Sequence, residues 1–257
     1  MEIKFHISRL SDRMLFVRVD MKINSRIIKI AGFINRTDRL IDVGGDHSYL
    51  GIYCIRNQIA RRVLVTDIKK GPLLRAAKNI ACCDLEHLIE TKQTDGLEDV
   101  QIGTKDTIVI CGMGTEVIID ILEDAKEKFF SCNDIVLQPA NAPQILKMYL
   151  YRNGFEVICD SCFMYRKLPY YILKCRKTGK TTNIEDIYDA KLFIPECLDH
   201  IEKEPLLSYL ERVLKRQKNI LEGYGLTGDP DIQRQKDLVR ELEDLLESVK
   251  LEVRPMI

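Results

Sequence analysis

Residues 42–49, with the sequence DVGGDHSY, place a turn of two glycines before an acid, an imidazole, a hydroxyl and an aromatic ring. The turn lacks the third glycine of GxGxxG, so it does not meet the dinucleotide-binding fingerprint. A zinc role for His47 would need two or three further ligands. The other histidines are widely spread, at positions 6, 87 and 200. We therefore expect no metal here and interpret the turn as a candidate nucleoside cradle.

Acidic residues follow the next two predicted strands. Asp67 ends one of them, at the spacing from the glycine turn where a carboxylate binds the two hydroxyls of a ribose. Asp95 and Gly96 follow the other, where an acid and an open backbone can contact an adenine edge. A ring of carboxylates repels a pyrophosphate, so the pattern favours a nucleoside without phosphate. S-adenosylmethionine is such a nucleoside and carries a sulfonium cation, so we expect it rather than NAD.

Two further loops carry groups suited to a flat ligand. In CGMGT, Gly112 and Gly114 allow the backbone to approach closely. In LQPAN, Gln138 and Asn141 offer paired donors and acceptors that suit a base edge. Two interpretations of Tyr49 stay open: it packs as an ordinary aromatic residue, or it stacks on a flipped base. Two interpretations of His47 also stay open: it is a hydrogen-bonded residue at a helix start, or it belongs to the ligand site.

Strands and helices alternate between residues 39 and 177, and two strands without a helix between them end the series. This order predicts an α/β fold: a mostly parallel sheet with helices on both faces and an antiparallel pair at its edge. Ligands of such sheets bind at the carboxyl ends of the strands, where the polar clusters lie. The predicted strands are 39–44, 62–67, 88–93, 106–112, 134–139, 155–163 and 169–177, and the predicted helices are 47–57, 71–83, 115–129 and 142–154.

The last part of the chain has a different pattern. Residues 204–223 and 230–250 carry apolar stripes at a helical period with charges between them. GYGLTGD between them is rich in helix breakers, so we predict an antiparallel helical hairpin, a two-stranded coiled coil. Arg212, Lys215 and Arg216 of its first helix form either a solvated face or a phosphate-contacting one.

Composition indicates a folded chain outside membranes. The 257 residues are 46% hydrophobic and 30% charged, and no apolar run approaches the roughly 18–20 residues of a membrane span. The first twenty residues do not resemble a signal peptide, and nine scattered cysteines indicate a reduced, cytoplasmic protein. Cys159 and Cys162 lack the second pair that zinc needs. Residues 144–180 carry eight basic against two acidic residues, a patch that favours a charged partner.

The motifs DVGGDHSYLG, DIKKGPLLRAAKN, TDGL, ICGMGTEVI, LQPANAP and RNGFEVI occur in one order. As a set they resemble the bacterial TrmK-type tRNA (adenine-N1)-methyltransferases, which methylate N1 of adenosine 22. The resemblance runs from about Met21 to Lys177, and the hairpin is similar to that family's coiled-coil tail. It implies a Rossmann-like class I methyltransferase domain over residues 21–180, an N-terminal extension over 1–20 and a helical coiled-coil domain over 181–257. Ala140 departs from the family pattern, which has Asn there, and Asn141 is the candidate substitute.

The resemblance also implies roles for single residues, with S-adenosylmethionine as cofactor, tRNA as partner, no metal, no membrane and a monomeric state. The alternative is a methyltransferase of the same fold that acts on another RNA, a small molecule or a protein. The implied catalytic residues are Tyr49, Asn141 and Gln138. The implied cofactor-binding residues are Asp42, Gly44, Asp46, His47, Asp67, Ile68, Asp95, Gly96, Gly112, Met113 and Gly114. The candidate RNA-binding residues, which follow from their positive charge, are Arg26, Lys147, Arg152, Arg166, Lys167, Arg212, Lys215 and Arg216.

Overall fold

The computed structural model describes residues 4–8, 16–20, 23–184, 186–196, 201–227 and 229–251, with side chains from residue 23 onward. The chain divides into two compact units. The first comprises Met1–Cys111 with Asp120–Leu137, and the second comprises Gly112–Ile119 with Gln138–Ile257. The domain boundaries predicted from the sequence, after residues 20 and 180, stay predictions.

The described elements are nine strands and seven α-helices. The strands are β1 (Lys4–Ser8), β2 (Phe16–Asp20), β3 (Thr37–Val43), β4 (Ala60–Asp67), β5 (Ile89–Gln93), β6 (Asp106–Met113), β7 (Asp134–Pro139), β8 (Phe155–Tyr165) and β9 (Leu168–Lys177). The helices are α1 (Ser25–Ala31), α2 (Tyr49–Arg56), α3 (Lys70–Ala81), α4 (Thr115–Asp124), α5 (Pro143–Arg152), α6 (Lys203–Thr227) and α7 (Ile232–Leu251). Short 3-10 turns lie at Asp46–Ser48, Lys128–Ser131 and Ala190–Leu192.

Seven strands form one sheet in the order β5-β4-β3-β6-β7-β9-β8. β3 pairs in parallel with β4 and β6, and β4 pairs in parallel with β5. β8 and β9 pair antiparallel at the edge of the sheet. The apolar runs of the inner strands are buried on both faces, as in other parallel sheets covered by helices, and β7 is buried along its whole length. The predicted α/β fold with an antiparallel last pair is confirmed.

The N-terminal part contains two features that the sequence analysis did not predict. β1 and β2, within the predicted extension, pair antiparallel as a separate two-stranded sheet, and the rest of residues 1–20 lies outside the described residues. α1 begins after Asn24, whose side-chain oxygen accepts a hydrogen bond from Ile27 N at 3.0 Å. Asparagine is a strong N-cap because this bond satisfies a backbone donor of the first turn.

The two last helices confirm a helical hairpin, but α6 is longer than predicted. It continues through Gly223 and Gly225 to Thr227, although each glycine costs about 1 kcal/mol relative to alanine. Tyr224 holds this extra turn, because its hydroxyl lies 3.3 Å from that of Tyr188 and its carbonyl accepts from Asp229 N. Leucines of both helices are buried along the hairpin. No helix among the described residues combines the length and the apolar character that crossing a membrane requires.

Candidate active site

The glycine turn of the first unit is closed by backbone contacts and packs against a carboxyl group. Gly44 has a φ of 69°, a conformation that favours glycine, and its N–H donates to Thr66 O at 2.7 Å. A Cβ added to Gly45 would lie 2.5 Å from Oδ2 of Asp42 and 2.9 Å from Cγ1 of Val65. Glycine is therefore required at both positions, and the turn presents bare backbone.

Asp42 is buried at the end of β3, with 5% of its surface exposed. Burial raises the pKa of its carboxyl to about 7, because an ionised carboxylate loses its hydration there. A cation brought to the neighbouring turn would favour the ionised form and lower that pKa again. A ligand with a positive centre would therefore be favoured beside this carboxyl group.

His47 and Tyr49 form a stacked pair beyond the turn. Their ring centroids lie 5.2 Å apart and their planes differ by 5°. The predicted helix start at His47 is wrong: His47 and Ser48 have left-handed backbones, with φ of 68° and 55°, and α2 begins at Tyr49. Asn79 Nδ2 donates to the carbonyl of His47 at 2.9 Å and secures this conformation. His47 thus lies where its ring fixes the plane of the Tyr49 ring.

Asp46 lies on the exposed side of the same turn. Its Oδ1 pairs with Arg75 Nη2 at 3.0 Å, and its Oδ2 lies 3.5 Å from Nε2 of His47. About half of the Asp46 side chain is exposed, so a ligand can reach it. Asp46 therefore links α3 to the His47–Tyr49 pair.

The ends of β4 and β5 bring the other predicted cofactor residues of the first unit to the glycine turn. Thr66, which the sequence analysis missed, joins them: its carbonyl accepts from Gly44 N, and its hydroxyl donates to Gly96 O at 3.3 Å. Asp67 is half-buried, and its Oδ1 accepts from Lys69 N at 2.7 Å. In the sequence, the indication that Thr66 belongs to this site was its place directly before Asp67 at the end of the strand.

The outer residues of this edge also suit a planar group. Ile68, directly after Asp67, is 55% exposed, and Asp95 is exposed as well. Gly96 has a φ of 48°, and a Cβ added there would lie 3.2 Å from the Ile121 side chain. An apolar side chain, a carboxylate and bare backbone therefore border the end of the first unit's strands.

In the second unit, Asn141, in the loop after β7, caps the N-terminus of α4. Its Oδ1 accepts from Thr115 N at 2.9 Å, and its backbone carbonyl accepts from the Thr115 hydroxyl at 2.5 Å. Met113 O accepts from Ala140 N at 2.7 Å, and Gly112 has a φ of 80°. Asn141 is exposed, and because its oxygen accepts from Thr115 N, the two N–H donors of its amide are the groups that it can offer to a ligand. Gly114 lies beside it, 3.8 Å from Oδ1 when given a Cβ.

Gln138 does not take the predicted place at a base edge. Its side chain is fully buried in β7, and Nε2 donates to Pro139 O at 2.7 Å. A fully buried amide is not available to a substrate base. Gln138 therefore supports the 139–142 loop from beneath, and Asn141 is the exposed amide of this loop.

The prediction that Lys147 binds RNA is also wrong, because its side chain is fully buried. Its Nζ lies 3.2 Å from Oδ2 of Asp160 and donates to the carbonyls of Lys191 and Ile194 at 3.0 and 2.9 Å. The same Asp160 carboxylate accepts from the Tyr171 hydroxyl at 2.5 Å. Lys147 thus ties α5 and β8 to the segment before α6, and it is not available to RNA.

The other basic residues of the RNA set reach the surface to different extents. Arg26 is half-buried and Arg152 is exposed, with Nη2 3.3 Å from Ile184 O. Arg166 and Lys167 are exposed in the tight turn between β8 and β9, where the Arg166 guanidinium lies over the Tyr165 ring. On α6, the three remaining members are exposed: Arg212, Lys215 and Arg216.

A cleft of about 300 Å³ lies wholly within the second unit. The loop that follows β7, the start of β9 and one face of α6 line it. Asn141, Arg212 and Arg216 are brought together in its lining, and Lys215 is not part of it. The structure thus joins one predicted base-contacting residue to two of the predicted RNA-binding residues.

Comparison with known proteins identifies the family. A family model described as a methyltransferase domain matches residues 23–173, more than half of the chain. The chain belongs to the methyltransferase domain family. This methyltransferase is 26% identical over 232 residues to the tRNA (adenine(22)-N(1))-methyltransferase of Bacillus subtilis strain 168, a match that covers 90% of the chain and 97% of that protein.

Solved structures agree with that assignment. The crystal structure of the B. subtilis M1A22 tRNA methyltransferase TrmK is 25% identical to this methyltransferase, with a TM-score of 0.63 over 90% of this chain and 98% of that one. M. capricolum TrmK in complex with S-adenosyl-homocysteine has a TM-score of 0.70 at 20% identity, over 89% and 100% of the two chains. At 20% identity, the similarity to the M. capricolum structure shows the fold alone.

Proposed function

We propose that this methyltransferase transfers a methyl group from S-adenosylmethionine to N1 of adenosine 22 in tRNA. The observation that carries the proposal is the match to the B. subtilis enzyme of that name, which extends over 97% of its length and 90% of this chain. The similarity therefore includes the helical tail beside the methyltransferase domain. A small-molecule methyltransferase needs neither that tail nor the basic residues on α6.

The first unit supplies the proposed cofactor contacts. When bound, S-adenosylmethionine supplies a methyl group on a sulfonium sulfur. Asp67, half-buried after β4, is proposed to accept hydrogen bonds from the ribose hydroxyls, with Ile68 and Asp95 beside the adenine. Gly44 supplies bare backbone next to Asp42, whose ionised form favours a cation. The proposed cofactor-binding set is completed by Asp46, His47, Gly96 and the backbone of residues 112–114.

The acceptor atom determines what the protein must do. Adenine N1 has an in-plane lone pair and is uncharged at neutral pH, so its attack on a methyl group requires no general base. The main catalytic effect is then alignment of N1 with the methyl carbon and sulfur. N1 lies on the Watson–Crick edge, so the base must leave any pair or stack first. Tyr49, held by the parallel His47 ring, is proposed to hold the flipped adenine.

Asn141 is proposed to bind the same adenine with its amide donors. Because Oδ1 is engaged by Thr115 N, the NH2 group is the part of the amide that suits an acceptor atom of the ring. A donor to a ring nitrogen other than N1 fixes the plane of the adenine before the reaction. Product formation places a positive charge on the adenine, which nearby carbonyl oxygens stabilise.

Basic side chains that reach the surface, half-buried at Arg26 and exposed at the other positions, are proposed to contact tRNA phosphates, which dominate the affinity of proteins for nucleic acids. They are the members of the predicted set that reach the surface: Arg26, Arg152, Arg166, Lys167, Arg212, Lys215 and Arg216. We further propose a cytoplasmic monomer that acts without a metal ion.

Two substitutions test the division of roles between cofactor and base. Asp67→Ala is expected to abolish cofactor binding in calorimetry. Tyr49→Ala is expected to keep cofactor affinity and to lose turnover on tRNA. If Tyr49→Ala loses the cofactor instead, the proposed division of roles is wrong. Cofactor binding by the wild type without methylation of any tRNA would favour the alternative, a methyltransferase for another RNA, a small molecule or a protein.

A further inference from the structure

The loop that follows β5 in the first unit is held in place by side chains. Four consecutive carbonyls, those of residues 96–99, accept hydrogen bonds from side-chain donors. The donors are the Thr66 hydroxyl and the ammonium groups of Lys92 and Lys128. Backbone polar groups need partners, and an irregular loop obtains fewer of them from its own backbone than a strand or a helix does. These three side chains therefore fix the path of a loop that carries Asp95, one of the proposed cofactor residues.

Lys128 makes two of these bonds and is the central support of the loop. Its Nζ donates to Leu97 O at 2.8 Å and also to Glu98 O. Lys128 is half-buried and begins the 3-10 turn after α4, where the next residue, Phe129, is fully buried. An ammonium group forms stronger hydrogen bonds to carbonyl oxygens than a neutral donor does. Lys128 thus binds the loop from an anchored turn of the same unit.

The engaged carbonyls determine what the loop can offer to a purine. With the oxygens of residues 96–99 occupied by donors, the loop offers backbone N–H groups and the exposed Asp95 carboxylate. The edge of adenine presents an acceptor at N1 and an amino donor at N6, so N–H groups and a carboxylate complement it. Hypoxanthine presents an N–H at N1 and a carbonyl at position 6, which leaves the same groups unpaired. The loop therefore distinguishes the two purines as long as its path is held.

We infer that Lys128, together with Lys92, positions the 95–99 loop for the adenine of the cofactor and so determines which purine the site accepts. Both are positioning residues, because they act through the carbonyls of the loop. The inference rests on the proposed function, which places the adenine beside Asp95. It gives a role to two lysines that the sequence analysis did not single out, because nothing in the sequence distinguishes them from solvated lysines.

The test measures binding of S-adenosylhomocysteine to the wild type and to Lys128→Met by calorimetry. Methionine keeps an unbranched stem but has no donor, so Kd is expected to rise about tenfold as the loop loses two charge-assisted hydrogen bonds. Lys126→Met is the matched control, because Lys126 is exposed and pairs with Glu123 at 3.6 Å on the surface. Its Kd is expected to stay within about twofold of the wild type. An unchanged Kd for Lys128→Met, or an equal rise for Lys126→Met, would overturn the inference.

Two further measurements separate positioning of the loop from a general loss of stability. In an Asp95→Ala background, Lys128→Met is expected to raise Kd by less than about twofold, because the loop no longer holds the adenine through that carboxylate. Additive effects of the two substitutions would overturn the inference. S-inosylhomocysteine, which carries hypoxanthine in place of adenine, is expected to bind the wild type about tenfold more weakly or worse, and Lys128→Met should reduce that preference severalfold. Equal losses for both ligands, or a wild type that binds them equally, would overturn it as well.

Lys92→Met tests the same loop should Lys128→Met fail to fold. It removes only the bond to Asp99 O, and Kd for S-adenosylhomocysteine is expected to rise severalfold; an unchanged Kd would overturn the role of Lys92. A wild type that binds no S-adenosylhomocysteine overturns the proposed function. A wild type that binds it, with unaffected lysine variants, overturns only this inference.

Discussion

Lys147→Met is expected to destabilise the protein through Asp160 rather than to weaken RNA binding directly. The substitution removes an ammonium that is fully buried, 3.2 Å from the Asp160 carboxylate, with two backbone carbonyls as further partners. Asp160 then keeps its hydrogen bonds from Tyr171 Oη and Glu196 N but loses the only opposite charge in contact with it among the described residues. Removing one partner of a buried ion pair costs about 3–5 kcal/mol, because the other charge remains in a poorly hydrated place.

The assay is thermal unfolding followed by circular dichroism. For a protein of this size, 1 kcal/mol corresponds to about 2–4 °C, so the expected fall in Tm is about 6–20 °C. Arg152→Met, on the same helix but exposed, is the matched control and should change Tm by less than about 2 °C. An unchanged Tm for Lys147→Met together with weaker tRNA binding would refute the reasoning and return Lys147 to the RNA-binding set.

Gly45→Ala should weaken cofactor binding about tenfold or more in calorimetry, because its Cβ would lie 2.5 Å from Asp42 Oδ2, whereas Gly71→Ala meets only the Arg75 side chain at 3.8 Å and should leave affinity unchanged. Asp42→Asn should become progressively more stable than the wild type between about pH 4 and 7. Folding raises the Asp42 pKa from its ordinary value to about 7, so in that window the wild type must take up a proton to fold, and this costs more as the pH rises. A constant difference in Tm would count against this. Asn141→Ala and Asn141→Asp should both lower kcat about 100-fold at unchanged cofactor Kd, because both remove the amide donor proposed to align the adenine with the methyl group. If Asn141→Asp stays active, the residue acts only by accepting from Thr115 N.

The parallel sheet was predictable from the sequence because its strands are buried on both faces. The run 134–139 appears as β7 with the predicted bounds, because its centre, residues 135–137, is apolar and buried. The edge pair β8–β9 was predictable from two strands without an intervening helix. α1, only seven residues long, was not, because a short helix carries little periodic signal. The extra turn of α6 depends on the contact between Tyr224 and Tyr188, which are distant in the sequence.

The site was less predictable, because burial and backbone conformation are tertiary properties. Lysine is rarely buried, and Lys147 on α5 can be buried because Asp160 on β8 and two backbone carbonyls meet its ammonium group. The burial of Gln138 was easier to foresee, because it directly follows three apolar residues of the same strand. The left-handed backbone at His47 could not be foreseen, because residues other than glycine seldom adopt it. The stack of His47 on Tyr49 follows from that backbone.

The most direct test of the proposed activity is methylation of an unmodified tRNA transcript with adenosine at position 22, beside a matched transcript with guanosine there. The purified protein is incubated with labelled S-adenosylmethionine, and the RNA is digested to nucleosides and separated. The proposal predicts label in 1-methyladenosine from the first transcript and none from the second. Equal labelling of both transcripts, or label in a different nucleoside, would contradict it.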